Sequence, residues 1–190
     1  MAPRHTLIVH PPLSVARDFI DYPYFCDLGA VQLAAVLRAR GCAVRLVDAF
    51  ALPTSGLAWR DDDRCLLGAP VPDVLTALRE ALAHDSPCDL AVVTYTPFHR
   101  PPARDDVLGA LLAGLRALIP STPIVLADAY QSGQHYVDAP GERVLAAYPE
   151  CDAYVQYEAE ETIPALVAAL PTRPSGAHHG AAPPSLDALP

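Results

Sequence analysis

The sequence predicts an α/β domain: five parallel strands in a three-layer α/β/α sandwich. Apolar runs of strand length alternate with stretches whose apolar residues recur at helical spacing, the pattern of a parallel sheet with helices on both faces. One run, Leu90 to Val93, is apolar at every position, as strands buried on both faces are. A chain of 190 residues, 52% of them hydrophobic, suits one compact domain. Right-handed crossovers then give a doubly wound sheet, Rossmann-like or flavodoxin-like, most simply in the order 2-1-3-4-5.

The first strand is expected at Thr6 to His10, closed by Pro11-Pro12. After a long loop, Asp27 is placed to cap a helix with Leu28, Val31, Ala35 and Val36 on one side, ending at Gly41. Val44 to Val47 forms the second strand. Between Ala51 and Val71 no period holds, and Pro53, Gly56, Gly68, Pro70 and the Asp61-Asp62-Asp63 run predict a surface loop. A helix from Asp73 places Leu75, Leu78 and Leu82 together, and Asp89 to Thr94 is the third strand. Asp105 caps a helix with the stripe Leu108, Leu111, Leu112 and Leu115. Pro123 to Leu126 and Ala153 to Gln156 are the remaining strands, with helices at Glu142 to Tyr148 and Ile163 to Leu170. The expected domain is 1–170. Residues 171–190, rich in Pro, Gly, Ala and His, read as a flexible linker or tail.

Composition removes several function classes. The chain has no Lys, which excludes a lysine Schiff base and the lysine of a phosphate-binding P-loop. It carries no GxGxxG, GxSxG or HExxH. Five scattered cysteines without a CxxC pair suggest neither a disulfide framework nor a zinc knuckle. A net charge of -9 without a basic stripe argues against nucleic acid or an anionic membrane as partner. The longest apolar runs, such as Leu111 to Ile119, are broken by Gly or Arg and fall far short of a span, and the N-terminus does not read as a signal peptide, so a cytoplasmic protein is expected.

In doubly wound sheets ligands bind beyond the carboxyl ends of the strands. That rule selects His10 to Tyr24, Thr94 to His99, Asp128 to His135 and Tyr157 to Glu160. These segments are accompanied by His10-Pro11-Pro12, by Leu33 to Gly41 leading into Val44-Arg45-Leu46-Val47-Asp48-Ala49, by Tyr148-Pro149-Glu150-Cys151-Asp152-Ala153, and by Glu158-Ala159-Glu160-Glu161-Thr162-Ile163-Pro164. Together they resemble the N-terminal cobalamin-binding domain of cobalamin-dependent radical SAM enzymes, over nearly the whole chain. Ser185 to Pro190 is similar to the segment leading into the catalytic barrel of that family.

The resemblance implies a cobalamin lying across the rim, its nucleotide tail alongside the sheet. His10 and Pro11 would border it, and Tyr22 and Tyr24 would face the corrin. Thr94 and Thr96, flanking Tyr95, would hydrogen-bond the tail; Asp128 and Ala129, at the end of the fourth strand, would border it; and the turn Tyr157-Glu158-Ala159-Glu160 would approach its ribose or phosphate. The family's glycines are replaced at Ala127, Asp128, Tyr157 and Ala159. No Asp-x-His-x-x-Gly motif supplies a lower axial histidine, and no CxxxCxxC ligates an iron–sulfur cluster. The domain is therefore expected to be non-catalytic alone, the N-terminal part of a longer enzyme, with its radical SAM partner in cis or in trans.

Simpler roles stand beside these. His10 before Pro-Pro suits a hydrogen-bonded structural histidine, and His99 and His135 share that ambiguity. Asp128 can accept from a ribose or cap the next turn. Glu158, Glu160 and Glu161 suit a helix N-terminus without any ligand. Asp61-Asp62-Asp63 reads as a solvated surface, and no metal is assigned. The alternative function is a degenerate domain of this type acting as an interaction module. A flavodoxin-like or glycosyltransferase-like enzyme using Asp48 and Asp128 is a third, without an activated nucleophile to support it.

Overall fold

A computed structural model describes residues 3–18, 28–83, 87–129, 137–181 and 190. Tyr22, Tyr24, Asp27 and His135 fall outside these residues.

The central sheet is parallel, in the order β3-β1-β6-β7-β8-β9. Its strands are β1 (His5–His10), β3 (Ala43–Asp48), β6 (Leu90–Tyr95), β7 (Ile124–Asp128), β8 (Ala153–Gln156) and β9 (Gly176–His179). Without β9, this is the expected 2-1-3-4-5 order. β6 is buried at every residue, consistent with its unbroken apolar run. The α/β fold is Rossmann-like, with six strands where five were expected.

Helices α2 (Val71–Ala83), α3 (Asp106–Leu118) and α4 (Gly141–Ala147) cover one face. They bury Val74, Leu78, Leu108, Leu111, Leu112, Leu115 and Val144 with Leu7, Val93 and Leu126 of the sheet. Helices α1 (Leu28–Ala39) and α5 (Thr162–Ala169) cover the other, packing Ala30, Leu33, Leu37, Ile163 and Val167 on Ile8, Val92 and Val125. Asp105 caps α3 as its sequence implies, its carboxylate accepting from the amides of Val107 and Leu108 at 3.0 Å each.

Three expectations need correction. Of the face expected for α1, Val36 is buried, but Leu28 is 75% exposed and Val31 41%. The buried stripe runs through Ala30, Leu33, Ala34 and Leu37, at the i, i+3, i+4, i+7 spacing, with Val36 buried beside it. The stretch from Ala51 to Val71 is not only loop. It holds β4 (Gly56–Trp59) and β5 (Arg64–Gly68), which with β2 (Leu13–Ala16) form a three-stranded antiparallel sheet in the order β2-β5-β4. This sheet buries Leu13, Val15, Cys65 and Leu67 against Phe50 and Phe98.

Third, part of the segment read as a flexible linker is β9, which adds to β8 with the register Ala153↔Gly176 to Gln156↔His179. Asp152 secures this edge, pairing with Arg116 and Arg173 at 2.7 Å each and accepting the Ile124 amide at 2.8 Å.

Candidate functional site

The order of the sheet reverses at β1, whose two neighbours are β3 and β6. The switch-point crevice therefore lies between the carboxyl ends of β1 and β6. His10 ends β1 and Thr94 stands at the end of β6; Asp128 and Ala129 close β7, and Tyr157 to Glu160 follow β8. The structure brings all of these to one edge of the sheet.

His10 is held from the side. Its Nδ1 and the Asp48 carboxylate are 2.8 Å apart, and its ring stacks on Phe50 at 4.8 Å. Asp48 also accepts the Phe50 amide at 2.9 Å, so one carboxylate orients both the histidine and the ring beneath it. Both members of the pair are buried, as are Pro11 and Pro12 beside them.

Thr94 and Tyr95 point to opposite faces, because side chains alternate along a strand. Thr94 shares the α1 and α5 face with Leu90 and Val92. It is 0% exposed and its hydroxyl has no hydrogen-bond partner. Its cross-strand neighbour is Ala127, which belongs to the apolar cluster on that face with Ala30 and Ala159. A hydroxyl left unpaired in such a place costs about 1–3 kcal/mol, and in native proteins it calls for an explanation.

Tyr95 instead enters the core on the other face. Its ring lies edge-on to Tyr148 at 5.8 Å and to Tyr154 at 5.7 Å, and stacks on His99 at 5.3 Å. Burial raises the phenol pKa of Tyr95 and Tyr154, and pushes that of Tyr148 up to about 12. This places Tyr95 on the face of the sheet opposite Thr94.

Thr96 is occupied locally. Its amide donates to Nδ1 of His99 at 3.1 Å, and its hydroxyl lies 3.3 Å from the same nitrogen. His99 is 1% exposed, and burial lowers its pKa to about 4; nearby His10 adds to this while Asp105 opposes it. It is a neutral, structural histidine at pH 7.

Asp128 is engaged within the protein. Its carboxylate accepts the Val137 amide at 2.9 Å, while the Gln156 side-chain amide donates to the carbonyls of Val137 and Ala139 at 2.8 and 3.2 Å. Tyr157 occupies the left-handed region, φ 68°, which favours glycine. The backbone geometry a glycine would give is thus present, but a ring stands there, 38% exposed and stacked on His179 of β9 at 5.9 Å. Glu158 is exposed, whereas Ala159 and Glu160 turn inward and are buried. Glu161 pairs with Arg40 at 2.7 Å.

Three contributors were not singled out from sequence. Gly29 touches Ala129: a methyl group on it would lie 1.6 Å from the Ala129 carbonyl oxygen. Gly180 likewise leaves no room for a side chain, which would meet the Glu158 carbonyl at 1.9 Å. His179 supports Tyr157. The signal for the first was a glycine in a helix's opening turn, where it lowers helix propensity and so asks for a packing reason.

A separate cavity of about 140 Å³ lies at the opposite, amino ends of β1 and β3, lined by His5, Leu7, Arg45 and Cys88 among others. Among the described residues no group of three His, Cys, Asp or Glu side chains could hold a metal ion. The Asp61 to Asp63 run includes Asp62 paired with Arg60 at 3.1 Å and Asp63 with Arg17 at 3.4 Å. No helix among the described residues is long and apolar enough to cross a membrane.

No family model matches the chain and no curated protein matches it. Among solved structures it is similar to a phosphomethylpyrimidine kinase from Clostridium difficile 630, with 14% identity and a TM-score of 0.44 over 80% of this chain and 58% of that one. It is also similar to MurG from Acinetobacter baumannii, with 12% identity and a TM-score of 0.42 over 80% of this chain and 41% of that one. A pyridoxal kinase from Lactobacillus plantarum aligns at 15% identity and a TM-score of 0.31, over 80% of this chain and 49% of that one.

Proposed function

We propose that this domain binds cobalamin at the carboxyl edge of its sheet and presents it to a radical SAM catalytic domain. The observation that carries the proposal is Thr94: a hydroxyl without a partner, 0% exposed, beside the switch point and paired across the strands with Ala127. A buried polar ligand group beside it would satisfy the hydroxyl, and the small side chain of Ala127 gives such a group close approach to the sheet.

The residues present fit a corrinoid in three respects. Thr94 supplies a hydroxyl that can donate or accept. The turn at Tyr157 keeps the left-handed backbone of a glycine turn, with φ 68°. His10, fixed by Asp48 and Phe50, gives the crevice a rigid wall at β1. When bound, the corrinoid supplies a cobalt centre able to carry a methyl group. This chain's own residues bind and orient, and catalysis belongs to the partner domain. Thr96 and Asp128 have local partners and serve by shaping the edge.

Isothermal titration with hydroxocobalamin of the wild type and of Thr94→Leu tests this. The wild type binds near one equivalent, and the leucine variant, folded but with its slot filled, loses at least tenfold in affinity. Equal binding by both proteins sinks the assignment of the tail to Thr94. A second function, an interaction module without cofactor, is favoured by the seating of Gly29 on Ala129 at the end of β7, which leaves no room for a methyl group. It gives no heat with the corrinoid in either protein.

A further inference from the structure

Directly after β6 the chain makes one tight turn, Pro97–His99, which leaves His99 at the carboxyl edge of a strand that borders the switch point. Its imidazole is 1% exposed. Two contacts fix the orientation of the ring. Tyr95 stacks on its face, with centroids 5.3 Å apart and planes 11° from parallel, and the Thr96 amide donates to Nδ1 at 3.1 Å. A neutral imidazole whose Nδ1 accepts carries its proton on Nε2. Burial keeps the ring neutral at pH 7, so His99 holds one tautomer, with an Nε2–H donor.

That nitrogen is buried and has no hydrogen-bond partner among the described residues. Asp105, whose charge acts on the ring, is spent on the Val107 and Leu108 amides at 3.0 Å each and on Arg100 at 3.4 Å. His10, at the end of β1, also acts on its charge, so the ring lies within electrostatic reach of the other strand of the switch point. A buried N–H left unpaired is uncommon in native proteins and calls for an acceptor that completes it. The structural duty of His99 uses Nδ1 alone, and the second nitrogen is left over for that acceptor.

We infer that the Nε2–H of His99 is a ligand-binding group, donating to a carbonyl oxygen of one of the amide arms that surround the corrin ring. The inference rests on the cobalamin reading and extends it: Thr94 serves the nucleotide tail on one face of β6, and His99 serves the ring beyond the end of the same strand. An amide carbonyl suits this donor better than an anionic oxygen, because Asp105 already sets a negative charge near the imidazole. Neither nitrogen can ligate cobalt, since Nδ1 is taken by Thr96 and Nε2 carries the proton.

A pair of variants separates the two nitrogens. His99→Asn places an oxygen near Nδ1, keeps the acceptor for Thr96 and reaches no further; His99→Gln carries its amide to the position of Nε2 and forfeits that acceptor. Isothermal titration with hydroxocobalamin should find His99→Asn about tenfold weaker than wild type and His99→Gln within about threefold of it, while urea unfolding ranks the glutamine variant as the less stable. A merely structural histidine gives the reverse ranking in affinity. Long-range proton–nitrogen correlation spectra of the wild type alone decide the matter where neither variant folds: the Nε2 proton should be present in the ligand-free protein and shift downfield when hydroxocobalamin binds. Binding by the wild type with an unmoved Nε2 proton, a ligand-free Nδ1–H tautomer, or equal affinity in folded His99→Asn overturns the role of His99 alone. No binding by the wild type overturns the cobalamin reading, and this inference with it.

Discussion

Lowering the pH from 7.5 to 5 should destabilise the protein through His99. The imidazole is 1% exposed and its pKa is lowered to about 4 by burial. In the unfolded chain it returns to roughly 6.5. The folded state therefore disfavours the proton: stability is complete above about pH 6.5 and is lost as the pH falls toward 4, because the unfolded chain takes up the proton first. At about 1.4 kcal/mol per pKa unit, the two states differ by roughly 2 kcal/mol at pH 5 and about 3 kcal/mol at pH 4. Geometry points the same way, since Nδ1 accepts the Thr96 amide at 3.1 Å and a proton there would set donor against donor. Urea unfolding at half-unit intervals of pH measures the loss. Asp106 and Glu150, held below their usual range by hydrogen bonds from Arg60 and Arg104, act in a more acid window. His99→Asn keeps an acceptor for Thr96 and removes the ionisation, so its baseline falls but its slope between pH 7 and 5 flattens. The same slope in variant and wild type would refute the assignment.

Two further outcomes follow from the β8 edge. Tyr157→Gly should be more stable than Tyr157→Ala by about 0.5–1 kcal/mol, since only glycine relieves the left-handed backbone, a strain of about 1–2 kcal/mol offset in part by its greater freedom when unfolded; thermal melts of the two compare them directly. Asp152→Ala should cost about 1–3 kcal/mol in urea unfolding, because it removes the acceptor of the Ile124 amide and leaves Arg116 and Arg173 unneutralised.

Where packing is decided by unbroken apolar runs or by a cap, the sequence was a sufficient guide. β6 and the Asp105-capped α3 stand where their residues place them. α1 misled because Leu28, Val31, Ala35 and Val36 form as regular a stripe as Ala30, Leu33, Ala34 and Leu37. In the structure the second stripe faces inward, with Gly29 against the Ala129 carbonyl, a contact between residues 100 apart in the chain. β9 carries Gly176-Ala177-His178-His179 and is mostly exposed, so backbone pairing to β8 defines it and no apolar pattern could. β4 and β5 are four and five residues long, each too short to establish a period between glycines.

The candidate edge was legible as a set of strand ends, because sheet order alone brings His10, Thr94, Asp128 and Tyr157 together. The division of labour within it was not. Thr94 and Thr96 look equivalent in sequence, yet one is left without a partner and the other is used by His99. Tyr95, adjacent to both, serves the core on the opposite face.

The most direct measurement is gel filtration of the purified protein after incubation with excess hydroxocobalamin, reading the visible spectrum across the protein peak. Corrinoid absorbance co-eluting near one equivalent, and absent from Thr94→Leu, is the expected result; a colourless wild-type peak would contradict cobalamin binding.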